Sequence, residues 1–163
     1  MSIDNQFPPA SAPQPTLQAS QTPPAASQPL SPADERTWAL LAHLSVLLNL
    51  VTGFAGPIAA LIIYLVYKER SRYVAYHALQ SMIFQSICWY GGGMLAGICG
   101  ILAGVFAWTI VLPILFGLVA LTLALLPMGA IVYGIIAAVQ VNQGQDFKYW
   151  LVGDWVRGTL LGK

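Results

Sequence analysis

Polar side chains inside the apolar part of this sequence are its main candidates for chemistry. His77, Ser81 and Gln85 recur at every fourth position, with Gln80 beside them, so a helix would place them along one face. Burying polar groups is costly unless they are paired. The stripe therefore has two interpretations: hydrogen bonds between helices, which we favour, or the polar lining of a groove or path.

A second, weaker stripe lies in an earlier apolar run. Ser45, Asn49 and Thr52 share a face of a regular helix, and His43 is expected to point roughly the other way. Both stripes lack acidic and basic partners, because Asp, Glu, Lys and Arg are absent from residues 37–67, and Asp and Glu are absent from residues 73–145.

No residue set in the sequence supports catalysis. HExxH, GxSxG, P-loop and GxGxxG patterns are all missing. Cys88 and Cys99 are eleven positions apart, which is neither a CxxC nor a zinc spacing, so we expect free thiols. We predict that the protein is not an enzyme and that it binds neither a metal nor a cofactor.

The amino-acid composition of the chain indicates which environment surrounds the two polar stripes. The chain is 57% hydrophobic and 8% charged, whereas soluble domains carry about a quarter charged residues. A net charge of +1 gives no basic patch for nucleic acid. The run 73–145 contains no charged residue, and about 20 apolar residues already span a bilayer. We therefore predict an all-α, polytopic transmembrane helical bundle with three or four helical segments in the membrane, in contact with lipid.

The domain boundaries follow from a change in composition. Residues 1–33 contain eight of the eleven prolines and are predicted to be a disordered tail. Ser31, followed by Pro32, Asp34 and Glu35, predicts a helix start. Residues 34–157 form the predicted transmembrane domain, and residues 158–163 a C-terminal tail.

The first apolar run does not fit one straight span. A helix over residues 37–67 would be about 46 Å long, against a hydrocarbon core of about 30 Å. Either one kinked span or two short half-helices are possible, hinged at Gly53, Gly56 and Pro57. We favour the second, in which the run enters and returns, as a re-entrant hairpin or as part of a four-pass arrangement. Irregular backbone in a membrane needs cover, so the hinge is expected to face other helices.

The second apolar run should cross twice, near residues 81–106 and 109–142, with a turn at Trp108. Pro127 marks either a kink or a further turn. Residues 146–163 alternate apolar and polar side chains, which is typical of an interfacial segment or of one packed on the protein's own helices.

The basic residues predict the orientation of the chain in the membrane, and the small residues predict how its helices pack. Lys68, Arg70 and Arg72 form a basic loop that is expected to be cytoplasmic, together with the C-terminus, in a bacterial inner membrane. Small residues at helical spacing favour close packing within the bundle over a dimer interface. The glycines concerned are Gly93, Gly97, Gly100, Gly104 and Gly134.

Several strings together resemble a known family. They are residues 36–45, Gly56-Pro57, residues 64–74, His77-Ala78-Leu79-Gln80, Phe84-Gln85 and residues 140–149. They are similar to small bacterial membrane proteins grouped with the twenty-kilodalton subunit of the chloroplast inner-envelope protein translocon. The resemblance implies a compact helical membrane protein.

Two functions are carried forward from the sequence. The first is a non-enzymatic component of a membrane assembly, with other membrane proteins or a second copy as partner, and by resemblance with a role in handling polypeptides. The alternative is a small channel or transporter that uses the polar helix face.

Overall fold

The computed structural model describes residues 29–162, and within them the fold is all-α. Most of the predicted disordered tail, residues 1–28, lies outside this described part. The helices are α1 (Pro32–Leu44), α2 (Leu48–Thr52), α3 (Ala55–Tyr67), α4 (Arg72–Ser86), α5 (Gly92–Val105), α6 (Val111–Ala124), α7 (Leu126–Asn142) and α8 (Gly153–Leu161). A 3₁₀ turn at Ser45–Leu47 joins α1 to α2, and a π turn at Ile87–Gly91 joins α4 to α5.

The start of α1 confirms the helix signal in the sequence. The Ser31 hydroxyl accepts a hydrogen bond from the Asp34 backbone N–H at 3.1 Å, and Pro32 occupies the first turn. Pro32 loses nothing there, because the first N–H groups of a helix have no partner within it.

The first apolar run forms a helical hairpin rather than one kinked span. The arm α1–α2 covers Pro32–Thr52, the arm α3 covers Ala55–Tyr67, and Gly53 between them has a φ of +79°. At 1.5 Å per residue the second arm is only about 20 Å long. The hairpin is therefore too short on one side to cross a bilayer twice.

The expectation that the whole hinge faces other helices is wrong at its tip. Val51 is 89% exposed and a Cβ at Gly53 would touch nothing. The tip tolerates this because its backbone donors are paired locally. The Thr52 hydroxyl accepts from the N–H groups of Phe54 and Ala55 at 3.3 and 2.9 Å. Local pairing replaces the cover that irregular backbone in a membrane otherwise needs.

Gly56 and Pro57 differ from the tip, because both are buried. The Gly56 N–H donates to the side-chain oxygen of Asn49 at 2.8 Å, which ties the two arms together. A Cβ at Gly56 would lie 2.5 Å from both Asn49 Nδ2 and Gln85 Oε1. Only glycine allows α3 to approach this closely.

Two long helical segments are apolar and long enough to cross a membrane. They are Arg72–Val105, of 34 residues, and Val111–Asn142, of 32 residues. The first begins nine positions before the residue 81 that the sequence indicated, because the polar first turns of α4 are covered by the bundle. Trp108 lies in the turn between the segments and is 83% exposed. Pro127 falls in the first turn of α7, so the break there is an irregularity within one segment, not a further turn.

The bundle proper consists of α1, α3, α4 and α7, with α8 packed on α4. Alanines with no exposed surface let these helices approach closely. They are Ala39, Ala42, Ala60, Ala78 and Ala137. In contrast, α5 and α6 pack mainly on each other, and α6 contains no buried residue. The α5–α6 hairpin therefore extends beyond the bundle as an apolar pair.

The predicted packing glycines separate into two groups. Gly134 on α7 contacts α1, since a Cβ there would lie 3.0 Å from Val46 Cγ1 and 3.3 Å from the His43 carbonyl oxygen. Within the described residues, nothing lies within 4 Å of a Cβ built on the four glycines of α5, which are Gly93, Gly97, Gly100 and Gly104. These four glycines therefore do not allow the close packing within the bundle that was predicted. The helix α5 lies beyond the bundle and contacts α6 through other residues.

The segments outside the apolar runs meet at one end of the bundle. Ser71, next to the basic loop, donates to the Glu35 carboxylate at 2.5 Å. The Arg36 side chain packs against Gly144, where a Cβ would lie 3.0 Å from its guanidinium. The start of α1, the basic loop and the segment after α7 therefore share one face. The helix α8 continues through Leu161, so residues 158–161 are helical rather than part of a tail.

Candidate functional site

Buried polar side chains gather between the first hairpin, α4 and the segment after α7. The five residues named from the sequence, His43, His77, Gln80, Ser81 and Gln85, are each at most 1% exposed. Ser45 and Asn49 join them at 5% and 2%. The helices α1 and α4 pack directly on each other. The stripe on α4 therefore faces the same interior as Ser45 and Asn49, whereas Thr52, the third member of the second stripe, is exposed at the hairpin tip.

His43 belongs to the cluster although a regular helix would turn it away from Ser45 and Asn49. The 3₁₀ turn at Ser45–Leu47 explains the difference. A 3₁₀ residue rotates about 120° instead of 100°. Three such residues shift the phase by about 60° between His43 and Asn49 and bring both toward α4. The difference is one of backbone geometry, which the residue spacing does not reveal.

Gln80 joins α4 to the segment between α7 and α8. Its Oε1 accepts from the Tyr149 backbone N–H at 3.2 Å, and its Nε2 donates to the Phe147 carbonyl oxygen at 3.1 Å. A backbone N–H can only donate and a carbonyl can only accept. The two contacts therefore fix which end of the Gln80 amide is oxygen and which is nitrogen.

The orientation of Gln80 then fixes the protons on both imidazoles. Gln80 Nε2 lies 3.0 Å from His77 Nδ1, so this ring nitrogen accepts and carries no proton. His43 Nε2 lies 3.2 Å from the same nitrogen and must donate to it. His43 Nδ1 is then an acceptor, and the Tyr149 hydroxyl donates to it at 3.1 Å. Both histidines are neutral in this arrangement.

One consequence is an imidazole N–H without a partner. With Nδ1 as the acceptor, the proton of His77 resides on Nε2, which is buried and makes no hydrogen bond within residues 29–162. Buried donors without partners are rare in folded proteins.

The cluster continues toward the hairpin tip through hydroxyl and amide groups. Ser81 donates to the Ala42 carbonyl oxygen at 2.8 Å. Gln85 Nε2 donates to the hydroxyls of Ser81 and Ser45 at 2.8 and 3.0 Å. Asn49 Nδ2 and Gln85 Oε1 have no partner in the described part of the chain. Together with the contact between His43 and His77, the bonds from Ser81 to Ala42 and from Gln85 to Ser45 join the first hairpin to α4 at three successive levels.

Tyr149 is a member of the cluster that the sequence analysis did not single out. It is 1% exposed and stacks on Phe84 with ring centroids 4.2 Å apart. Burial raises the pKa of the Tyr149 hydroxyl, which keeps the group protonated as a donor to His43. In the sequence, Phe147 and Tyr149 alternate with Lys148 and Trp150. This alternation indicates that one side of the segment, the side with Phe147 and Tyr149, faces the bundle.

Two ion pairs hold this segment from outside. Lys148 contacts Asp154 at 2.8 Å, and Arg157 contacts Asp146 at 2.8 Å. Arg157 also donates to the Tyr76 hydroxyl at 3.2 Å, and its hydrogen bonds to Tyr76 and Asp146 raise the pKa of Arg157. Both pairs are exposed, and such pairs contribute about 0–1 kcal/mol each. The buried contacts of Gln80 and Tyr149 therefore position the segment.

The remaining named residues lie apart from the cluster. Lys68, Arg70 and Arg72 are exposed at the end that carries the chain termini of the bundle, and Arg70 lies over the Tyr67 ring at 5.7 Å. Cys88 and Cys99 are free. Among the described residues, no group of three or more His, Cys, Asp or Glu side chains has the arrangement of a metal site.

An all-α fold with two helical segments that are long and apolar enough to cross a membrane is typical of an integral membrane protein of helical type. The chain belongs to the magnetosome magnetite crystal formation protein family, whose model matches residues 34–156. No curated protein and no solved structure matches it.

The family assignment corrects the resemblance to the translocon subunit, which was wrong. Most of the sequence strings that suggested this resemblance lie in the polar cluster or in the segment after α7 that packs against it. They include residues 36–45, His77–Gln80 and residues 140–149. These residues stabilise the helical bundle. A similarity in fold does not show that two proteins share a function.

Proposed function

We propose that this chain acts in the magnetosome membrane as a non-catalytic component of magnetite crystal formation, through contacts of its outer surface. The burial of the polar cluster carries this proposal. His43, His77, Gln80 and Ser81 have no exposed surface, and their hydrogen bonds run between segments of the same chain. Because no substrate reaches these groups, their role is to hold the segments of the chain together. The surface that takes part in crystal formation is therefore the outer surface of the protein.

The α5–α6 hairpin is the surface we assign to that role. It extends beyond the bundle, and the four glycines of α5 leave one face open to a close helix contact with another membrane protein or a second copy. The basic loop of Lys68, Arg70 and Arg72 belongs on the cytoplasmic side by the positive-inside rule. The turn at Trp108 then faces the compartment in which the crystal grows.

The test replaces the open glycine face in cells that lack the native chain. Gly97→Leu with Gly100→Leu should leave membrane insertion intact but fail to restore the size and number of magnetite crystals in electron micrographs. Gly117→Leu on α6, which also has nothing within 4 Å of its Cβ position, is the matched control and should restore them. Normal crystals with the double variant would refute the assignment of this face.

A second candidate function, a small channel or transporter, is favoured by the unpartnered polar atoms. His77 Nε2, Asn49 Nδ2 and Gln85 Oε1 all lie in the same cluster, and water is the usual partner of such atoms. Formation of magnetite from iron ions and water releases protons, so proton flux is the first flux to measure. Protein in liposomes should dissipate a pH gradient, and His77→Ala and Gln85→Ala should change the rate. Vesicles that stay tight to protons and to a solute panel would argue against transport.

A further inference from the structure

The first hairpin begins and ends beside the basic loop and presents an apolar outer surface. The large apolar side chains exposed on α3 are spaced so that they share one face of the helix, which suits contact with lipid. They are Ile58, Leu61, Ile62, Leu65 and Val66. The arm α3 is about 20 Å long, against a hydrocarbon core of about 30 Å. The hairpin therefore occupies only part of the bilayer thickness.

The hairpin tip lies level with a break in both long segments. The Tyr90 hydroxyl donates to the Phe54 carbonyl oxygen, so the tip contacts the π turn at Ile87–Gly91. On the second segment, the change from α6 to α7 lies beside this turn, because a Cβ at Gly92 would be 3.2 Å from Leu126 Cδ1. The bundle of α1, α3, α4 and α7 therefore ends at one level, and α5 and α6 continue from it.

The protein therefore consists of two layers that differ in width. On the side of the basic loop, the α1–α2 arm, α3, α4 and α7 lie next to one another. Beyond the π turn, only α5 and α6 continue within residues 29–162. An α-helix with its side chains is about 10 Å wide, so two additional helices enlarge the cross-section of the wider layer by about 160 Å2.

The change in width falls near the middle of the bilayer. The helices α5 and α6 comprise 14 residues each, which gives the narrower layer a height of about 21 Å. With the hairpin the two layers measure about 41 Å, and a tilt of about 40° reduces this height to the thickness of the hydrocarbon core. The wider layer then lies mainly in the leaflet of the basic loop, and the narrower layer lies in the opposite leaflet.

We infer that this shape makes the protein sort by membrane curvature, so that it concentrates where the membrane is convex on the side of the basic loop. In a curved bilayer the convex leaflet has more area than the concave leaflet. A protein that is wider in one leaflet fits best where that leaflet is the convex one, and apolar segments that enter one leaflet only are sensitive to curvature. The partner in this activity is the lipid surface itself. The inference goes beyond the function proposed above and is independent of it, because it needs no contact of α5 with another protein.

The depth of the hairpin tip is the first measurement. A nitroxide spin label is attached at Val51→Cys in the full-length chain, with Cys88 and Cys99 replaced by serine, in phosphatidylcholine vesicles. Val51 is exposed at the tip, so the label should collide more with oxygen, which concentrates in the bilayer centre, than with a water-soluble nickel chelate. The same label at Ala107→Cys, in the turn beyond α5, should show the reverse. A tip label that is more accessible to the chelate overturns the inference.

Sorting itself is measured on membrane tubes pulled outward from giant vesicles of phosphatidylcholine and phosphatidylglycerol. The full-length chain carries a dye at Gln143→Cys, which is exposed at the end of the basic loop, and an impermeant quencher separates the two orientations. The ratio of protein to lipid fluorescence in the tube, relative to the vesicle, should exceed unity for molecules with the basic loop outside. It should fall below unity for molecules with the loop inside. Equal ratios for the two orientations overturn the inference.

Matched variants in the two layers assign the effect to the difference in width. Ile62→Ala with Leu65→Ala removes volume from the exposed face of α3 in the wider layer and should lower the ratio of molecules with the loop outside. Leu118→Ala with Leu121→Ala removes volume from the exposed face of α6 in the narrower layer and should raise it. Packing inside the protein is retained in both, because all four side chains are exposed. Shifts in the same direction, or none, show that the shape does not control sorting and overturn the inference.

Discussion

His43 Nε2 and His77 Nδ1 face each other at 3.2 Å, and one proton lies between them. That proton belongs to His43, because Gln80 already donates to the same His77 nitrogen. Which histidine carries this proton depends on the backbone N–H of Tyr149. This group can only donate a hydrogen bond, and it therefore fixes the orientation of the Gln80 amide. A backbone group late in the sequence therefore sets the protonation pattern between two helices.

The first prediction concerns these tautomers. Nitrogen NMR of the histidine-labelled chain should find both imidazoles neutral with the proton on Nε2. Tyr149→Phe, which keeps the stacking on Phe84 but removes the donor, should shift the His43 Nδ1 resonance and leave His77 Nε2 protonated. A proton on His77 Nδ1 in the unmodified chain would contradict the assigned network.

The second prediction concerns Gln80. Gln80→Leu keeps a similar volume but leaves the Tyr149 N–H and the Phe147 carbonyl unpaired. Each unpaired buried group costs about 1–3 kcal/mol, so the free energy of unfolding should fall by about 3 kcal/mol. Hydrogen exchange in residues 146–152 should accelerate. Gln143→Leu, at an exposed position, is the control and should change neither quantity by more than about 0.5 kcal/mol.

The third prediction concerns the close approach at Gly56. Gly56→Ala places a methyl group 2.5 Å from Asn49 Nδ2 and Gln85 Oε1. Overpacking of this kind costs about 1–3 kcal/mol, which a thermal unfolding series in detergent detects as a lower midpoint. Gly97→Ala is matched in chemistry but has open space, and should be neutral or slightly stabilising. Equal midpoints for the two variants would show that α3 does not pack as described.

The fourth prediction concerns the sides of the membrane. With Cys88 and Cys99 replaced by serine, single cysteines are introduced at Ser31, Gln143 and Ala107. Ser31→Cys and Gln143→Cys should react with an impermeant maleimide from the same side, because both lie at the end that carries the basic loop. Ala107→Cys, in the turn between the two long segments, should react only from the other side. Labelling of Ser31→Cys and Ala107→Cys from one side would exclude this topology.

The sequence contains enough information to predict the polar face of α4 and the start of α1. His77, Ser81 and Gln85 lie in one uninterrupted α-helix, so their spacing alone places them on one face. Ser31 and Asp34 act through contacts only three positions apart. Features of this kind depend on local geometry, which residue spacing encodes.

Other parts of the site depend on geometry that spacing does not encode. His43 and Asn49 face the same interior because the three residues of 3₁₀ turn between them change the phase of the helix. Tyr149 enters the cluster from a segment whose alternating pattern equally suits a membrane interface. The hairpin was one of two open alternatives, since a run of 31 uncharged residues fits either. The exposed tip was missed because the Thr52 hydroxyl supplies the acceptor that other helices were expected to provide.

The distance along the chain between Gln80 and its partners also bears on biosynthesis. Phe147 follows Gln80 by 67 positions, and at about 5–20 residues per second a ribosome needs several seconds to make that stretch. During this interval the amide and imidazoles of α4 and α1 lack the groups that later pair with them. A chain interrupted before residue 147 never acquires those groups, so the polar cluster of α1 and α4 is completed only once the segment after α7 has been synthesised.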